Sequence, residues 1–594
     1  MEYELSRGNY GVSRRTEHLI SGSGASKYKF DISSGELLLE AKNIMLSDGC
    51  MRSIAPKREI CTISEKYSGE EMIKAKCESD GITLMRINNS LYAKDKTAAL
   101  RRISSNCFSS DRTLIFYLDG CFYATNGGKI LKITKNYKIT TVEYYVPTIY
   151  TGLTSYGLQG VEYESPNVVC DYVYLEYTTT SSFSSLKFPK GVSVDGVESI
   201  KNKSNGSTVY RYTLEKVSNE NYISFSNSKS AGTYIVKAKL GSGSATDKAS
   251  LSAFAAARGV LFSSSMICEL DVETDKHGSF FGICNDNESF YVFNASSLSY
   301  ITSDMIWCTP IGVKPTAMVE YSDGELVFSS SKIVFVKPTI TDSDSKPSVN
   351  ISKTIVKRDF GCDMPGSAVA FDNKIIFGNS SNGIFFIDKF GLSERDGSCI
   401  VSMPIKERFF GFDTTALKAA HAICTGSAYY ISIGDTLMAL SFESGAPRST
   451  SESYDERMRY SWTEISDASS CEFVSVVGND VYILEHDDVK ERMISNGGGD
   501  MSSVIKSRAL DLGTHAEKVM SGICLIGAFG GEVVIRLAYD GKMSDTIYKI
   551  TPSDGEMRLY RAVTPRMRFC FAEIWISCAS SAVIKGIEAE YYTV

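Results

Sequence analysis

The chain is 594 residues long, 43% hydrophobic and 22% charged, with a formal net charge of −7. One hydrophobic core stops growing at roughly 250–300 residues, so this length requires several domains, and an ordinary globular composition excludes long disordered tracts. The acidic balance excludes an extended cationic groove that grips nucleic acid.

The choice of residues points to sheet. There are 33 Tyr and 29 Phe against 3 Trp, and Tyr, Phe, Val, Ile and Thr suit the half-buried face of a pleated sheet. With only 13 Pro, turns must depend on the 47 Gly and on Asn, Asp and Ser. The 16 Cys stand singly with no CxxC, which excludes zinc ribbons and thioredoxin-like redox motifs. Cys268 in MICEL and Cys524 in GICLI read as buried, reduced thiols, so assembly in a cytosol is expected.

In chain order, the first twenty residues carry no apolar signal region. No stretch reaches the ~18 uninterrupted apolar residues of a membrane helix, so no membrane segment is expected. Helical periodicity is confined to Glu70–Lys76, Ser252–Gly259 and Thr414–Ile423. The rest alternates with a period near two. A polar turn, an aromatic strand, a second turn and another apolar strand recur from Asn88, Asp119, Asn287, Asp323, Asp372, Gly426 and Gly478. Each is a hairpin, and from Asn287 onward the copies keep roughly the ~40–50-residue spacing of propeller blades. The expected fold is all-β: residues 1–60 as an N-terminal arm, 61–169 as the first part of a β-propeller, 170–240 as an inserted small β-sandwich, 251–494 as the remainder of the propeller, and 503–594 as a C-terminal β-sandwich. Gly241–Ser250 and Ser495–Asp500 read as linkers.

Motifs for chemistry are missing. The five His (His18, His277, His421, His486 and His515) form no HExxH. Glu485–Asp488, EHDD, is the densest set of oxygen ligands, but adjacent residues in a turn point apart and the set reads as solvated. No phosphate-cradling GxxxxGK[ST] loop occurs, no dinucleotide GxGxxG follows a strand, and GSGSA lacks the strand-to-helix setting of a nucleophile elbow. Sialidase-type S-x-D-x-G-x-x-W turns are absent, and nothing singles out the carboxylate pair that glycoside hydrolysis needs. No catalytic, cofactor-binding or metal residue is assigned, and no enzyme activity is expected. Tyr172, Tyr174 and Tyr177 are candidates for stacking on sugars, with a place in the sheet core as the simpler expectation.

Three segments resemble a known family. Ser33–Ile60 carries Asn43, Asp48, Gly49, Arg52 and Pro56; Tyr144–Val169 carries a Pro-Thr segment and then ESPNVV; Val504–Leu525 carries Ile505, Asp511, Gly513 and Lys518, with departures at Arg508 and Leu512. Together they resemble the β-propeller tail proteins of tailed bacteriophages, the tail nozzle, tail tubular and stabilisation class. The resemblance implies a structural virion protein that forms a homo-oligomeric ring, usually sixfold, in the tail or at the head-tail connection, around the channel used in DNA ejection. Its partners would be other tail or neck proteins and passing DNA, without sequence recognition and without a cofactor, and it would be assembled in the host cytoplasm. A phage adsorption protein recognising a host-surface glycan is the alternative, and a propeller glycoside hydrolase the second.

Overall fold

A computed structural model gives the fold. Residues 1–2, 5–14, 21–25, 32–37, 63–72, 96–100, 108–113, 242–265, 389–397, 443–460, 466–470, 486–489 and 495–501, with shorter stretches of one to four residues, lie outside the described residues. Within the described residues the chain is almost wholly strand.

The apolar runs explain the architecture. Gly324–Phe328 and Ala428–Ile433 are buried at every position. A strand covered on both faces is what results when sheets stack face to face, as blades do around a ring. Among the described residues there are seven such blades, each of four antiparallel strands. The first two span Ile73–Ser104 and Leu114–Thr141, and the next four span Met266–Pro310, Ala317–Lys357, Met364–Ile400 and His421–Ile465. The seventh takes three strands from Cys471–Ile494 and its outermost from Arg58–Thr62, with Met493 opposite Arg58 and Lys490 opposite Thr62. First strands of successive blades adjoin, and the seventh blade adjoins the first, so the ring closes. The closing strand therefore begins inside the segment expected as an N-terminal arm.

Between the second and third blades lies a sandwich of a five-stranded and a three-stranded sheet. It runs from Thr148 to Leu240, against an expected start at residue 170. Alternation places Leu175, Tyr177, Leu186, Ile200, Ile223 and Val236 in its interior, and that core continues into Tyr123 and Ile130 of the second blade and Phe293 of the third. Buried Asn167 holds the joint: its Nδ2 donates to the carbonyls of Tyr145 (2.8 Å) and Ser299 (2.7 Å), and its Oδ1 accepts from the Ile301 amide at 3.0 Å.

The C-terminal sandwich is built from both ends of the chain. One sheet runs Tyr3–Glu4, Arg15–Ile20, Ser26–Asp31, Ala582–Thr593, Lys518–Phe529, Arg558–Val563. The other is continuous with the sixth blade. From Trp462–Ile465 the hydrogen bonding passes to Leu38–Lys42, then Ser503–Ser507, Ala572–Cys578, Val533–Tyr539 and Lys542–Ile550. The propeller and the sandwich thus share one nine-stranded sheet.

Asn43 is the knot of that sheet. It is buried in the left-handed region at φ 55°, where Asn is tolerated better than other non-glycine residues. Its amide donates to the Glu464 carbonyl at 2.9 Å, its carbonyl accepts from Ile54 at 2.8 Å, and its Nδ2 donates to the Ser502 carbonyl at 2.9 Å. Side chains reinforce the crossing: Ser441 donates to the Leu46 carbonyl at 2.7 Å and Thr463 to the Ala41 carbonyl at 3.2 Å.

Two helix expectations meet the structure. Ile73–Ser79 is a strand, not the helix read over Glu70–Lys76: Ile73, Ala75 and Cys77 alternate with lysines at a period of two, and pairing with Ile82–Ile87 decides the conformation. Thr414–Lys418 is a single turn of helix capped by the Asp413 side chain, which accepts from the Thr415 amide at 3.1 Å, and strand resumes at His421. Ser252–Gly259 lies outside the described residues.

Two outcomes are expected. A chain carrying Glu59→Pro and Cys61→Pro loses the closing ladder; amide exchange should rise across residues 471–494 and 73–104 and stay slow in residues 518–593. Asn43→Leu places a branched side chain at positive φ and strands the Ser502 carbonyl, a cost of about 2–4 kcal/mol. Asn43→Gly keeps the turn and should cost only about 1 kcal/mol. Calorimetric melting of both variants checks the difference.

Candidate functional site

A concavity lies at the shared sheet. A cleft of about 570 Å³ is lined by Lys42, Met403–Arg408, Met438, Trp462–Glu464 and Arg508. Its floor is fixed by Trp462, whose Nε1 donates to the Val401 carbonyl at 2.8 Å. Glu464 faces both Arg408 (3.3 Å) and Lys42 (3.8 Å). This carboxylate is tied to two cations on separate segments, so it works as a brace. The cleft therefore has the makings of a joint, with Lys406, Glu407 and Arg508 also in its lining.

Among the described residues, the inserted sandwich carries the most exposed aromatics. Tyr210, ahead of strand Tyr212–Val217, is about 70% exposed, and so are Tyr156 and Tyr163, on a hairpin with exposed Leu158 and Val161. The hairpin beneath them is braced by acids. Glu164 accepts from the Tyr145 hydroxyl and the Thr148 amide, both at 2.6 Å, and Glu162 accepts from the Tyr150 hydroxyl at 3.1 Å. The hydrogen bond to Glu164 holds the Tyr145 phenol up at about 12.

The residues singled out in the sequence separate. Tyr177 is fully buried and donates to the Lys187 carbonyl at 3.0 Å, while Tyr172 and Tyr174 lie half-buried on the opposite face. The Lys237 ammonium lies 4.9 Å above the Tyr172 ring. The three tyrosines thus do not form one sugar platform, because period-two alternation divides them. Glu485 ends a strand of the seventh blade, and the remainder of the EHDD set lies outside the described residues. His515 is exposed and pairs with Asp511 at 3.6 Å, His421 sits on the innermost strand of the sixth blade, His18 lies on a strand whose side chains are not described, and His277 and His486 fall outside the described residues.

Other polar groups are engaged in structure. Asp363 accepts from the Ser380 amide at 2.6 Å and from its hydroxyl, and Asp540 accepts from the amides of Cys570 (3.0 Å) and Phe571 (2.8 Å). Cys170, Cys284, Cys362, Cys524 and Cys578 are buried thiols, and burial pushes those of Cys362 and Cys578 up to about 11. No group of three or more His, Cys, Asp or Glu side chains is placed to hold a metal among the described residues.

Two of the positions behind the family resemblance fall at joints. Asn43 and Asn167 are the two buried knots described above. Ile505 lies in the C-terminal core, and the fully buried Lys518 donates to the Ala516 carbonyl at 2.7 Å. Leu512 is buried at φ 51°, and its carbonyl accepts from the Tyr591 hydroxyl at 2.7 Å. Arg52 is exposed on its strand, while Asp48, Gly49, Pro56 and Gly513 lie outside the described residues. The exposed tyrosines at 156, 163 and 210 were not anticipated, since a Tyr in an alternating strand reads the same whether it faces a core or solvent.

No family model matches the chain, and no curated protein does. Solved structures with a similar course include the N-terminal part of BBS1 in complex with ARL6, at 8% identity, covering 76% of this chain and 98% of that one with a TM-score of 0.33. Sqt1 of Saccharomyces cerevisiae is 7% identical, with coverage of 70% and 93% and a TM-score of 0.31. An exo-β-1,3-galactanase from Phanerochaete chrysosporium is 9% identical, with coverage of 67% and 99% and a TM-score of 0.20. At these values the likenesses carry no functional argument, and the strand order itself defines a β-propeller protein with two added sandwiches.

The Tyr145–Glu164 bond has a pH signature. A phenol whose folded pKa is raised contributes stability below pH 10 that is lost as pH rises through about 12. The difference in ultraviolet absorbance between the wild type and Tyr145→Phe should therefore show a tyrosinate transition near 12, and Glu164→Gln should move it towards 10.

Proposed function

We propose that this chain is a structural virion protein of a tailed bacteriophage, a wall subunit of a ring in the tail or neck that surrounds the DNA channel. The observation that carries this reading is the way the modules are locked together. The sixth blade continues strand by strand into the C-terminal sandwich, and the inserted sandwich shares a core with the second and third blades. A wall under load needs such stiffness, and a freely diffusing binding module does not. The resemblance adds support, since Asn43 and Asn167 in the matching segments are the buried knots of these joints.

In this role the work is geometric. Blades supply rigid bulk, edges and loops contact neighbouring copies and other tail or neck proteins, and the net charge of −7 keeps passing DNA from sticking. The braced carboxylates and buried thiols described above are used for structure, which favours a non-enzymatic role. The exposed Tyr156, Tyr163 and Tyr210 favour a second reading, adsorption to a host-surface glycan, because exposed aromatic faces stack on sugars.

Electron microscopy and native mass measurement of the purified full chain test the proposal. A closed ring of copies is expected, sixfold if the family resemblance extends to stoichiometry. A monomer or trimer that binds host glycans would replace it with the adsorption reading. Turnover of a glycoside, abolished by one carboxylate substitution, would replace it with a hydrolase.

A further inference from the structure

A pocket of about 250 Å³ opens on the inserted sandwich, where strand Thr148–Leu153 pairs with Val161–Glu162. Its lining is Ile149, Tyr150 and the run Glu162–Pro166. Pockets for drug-sized ligands measure roughly 300–1,000 Å³, so this one suits a single ring of a small polar molecule. Two of its side chains are carboxylates, Glu162 and Glu164. No Lys or Arg is in the lining among the described residues, and none stands in the sequence between Lys138 and Lys187.

The carboxylates are aimed by neutral donors. Glu164 accepts from the Tyr145 hydroxyl with one oxygen and from the Thr148 amide with the other, both at 2.6 Å. An ionised carboxylate has roughly four acceptor sites, so Glu164 keeps capacity while its direction is fixed. Glu162 is exposed and accepts from the Tyr150 hydroxyl at 3.1 Å. The wall behind them is rigid. The amides of Tyr163 and Glu164 donate to the carbonyls of Ile149 and Thr148, both at 3.1 Å, and the Tyr300 hydroxyl of the third blade donates to the Ser165 carbonyl at 3.1 Å. Tyrosine rings crowd the same place. Tyr163 is 69% exposed, and the Tyr145 ring meets Tyr300 edge-on at 5.1 Å. Beyond the Glu164 hydrogen bond and burial, Tyr300 and Tyr163 help hold the Tyr145 phenol up, so three phenols gather near one carboxylate.

We propose that this pocket is a subsite for one uncharged pyranose residue, whose hydroxyls donate to Glu162 and Glu164 and whose C–H face rests on Tyr163. Fixed acceptors beside an exposed aromatic ring match a molecule that offers several O–H donors and an apolar face. Because the acceptors are held before the ligand arrives, little ordering is lost on binding. An acidic sugar brings a like charge to two carboxylates and is rejected. The inference gives the adsorption reading above its place on the molecule, and rests on that reading only for a surface glycan as the source of the sugar. The site itself does not depend on how many copies assemble.

The test is saturation-transfer difference NMR of the full chain with the methyl glycosides of glucose, galactose and N-acetylglucosamine at millimolar concentration. Glucuronate and ethylammonium are the charged controls. At least one glycoside should take up saturation, most strongly at its ring C–H protons, and glucuronate should not. Glu162→Ala, which removes a charged acceptor, should weaken binding about tenfold. Tyr163→Ala should weaken it as well, whereas Tyr163→Phe keeps the ring and should retain it. Both side chains are exposed, and melting curves check that each variant is folded. Retention of the chain on agarose carrying the bound glycoside assigns the sugar to a surface polymer, and binding of the free glycoside alone assigns it to a soluble one. The inference is overturned if no glycoside binds, if Glu162→Ala and Tyr163→Ala both bind at wild-type strength, or if glucuronate binds as well as the glycosides. Binding of ethylammonium and of no glycoside would replace the sugar with an organic cation. Each of these results leaves the ring reading standing, and a sugar-binding monomer would overturn the ring reading and leave this site.

Discussion

Everything in this molecule depends on one short piece of chain, Leu38–Thr62, being hydrogen-bonded into two modules at once. Its first strand lies between the sixth blade and the C-terminal sandwich, its middle hairpin joins the sandwich, and its last strand closes the ring. The main-chain pairing at the crossing is thin: a single parallel pair, Glu464 opposite Lys42, joins blade to clasp. The side chains therefore matter. Asn43, Thr463, Ser441 and the Lys42–Glu464–Arg408 cluster bind the crossing laterally. The links made by buried Asn43, Thr463 and Ser441 are costly when half-made and rigid when complete, which suits a part whose task is to hold shape.

The same logic separates interior from edge. Blade strands are covered on both faces and read as solid apolar runs, so the ring has little freedom except at its closing strand. Among the described residues, the added sandwiches carry exposed apolar side chains on strands that end their sheets, Leu559 and Val563 on one and Val161 on the other.

Much of this was legible in the sequence, and the limits have physical causes. For the second, fourth, fifth, sixth and seventh blades, the aromatic hairpins read from Asp119, Asp323, Asp372, Gly426 and Gly478 coincide with the two central strands. Central strands are packed on both sides and so carry the strongest pattern; innermost and outermost strands carry less. The parallel strand Thr148–Leu153 of the inserted sandwich was read with the propeller, because alternation shows that a strand exists and not which sheet it joins. The closing strand Arg58–Thr62 pairs with residues more than 400 positions away, and no local pattern encodes so distant a partner. Lysines at Lys74 and Lys76 imitated a helix where cross-strand pairing made a strand. At the surface, Tyr177 and Tyr163 look alike in sequence, yet one fills a core and the other faces solvent.

The central claim is that ring and C-terminal sandwich form one rigid body through their shared sheet. Nitroxide labels carried by unnatural amino acids at Asn350 of the fourth blade and Lys542 of the sandwich, both exposed, measure it directly by pulsed dipolar spectroscopy on dilute full-length chain. The account predicts one narrow distance distribution that broadens with Asn43→Leu. A broad or two-peaked distribution in the wild type would contradict it.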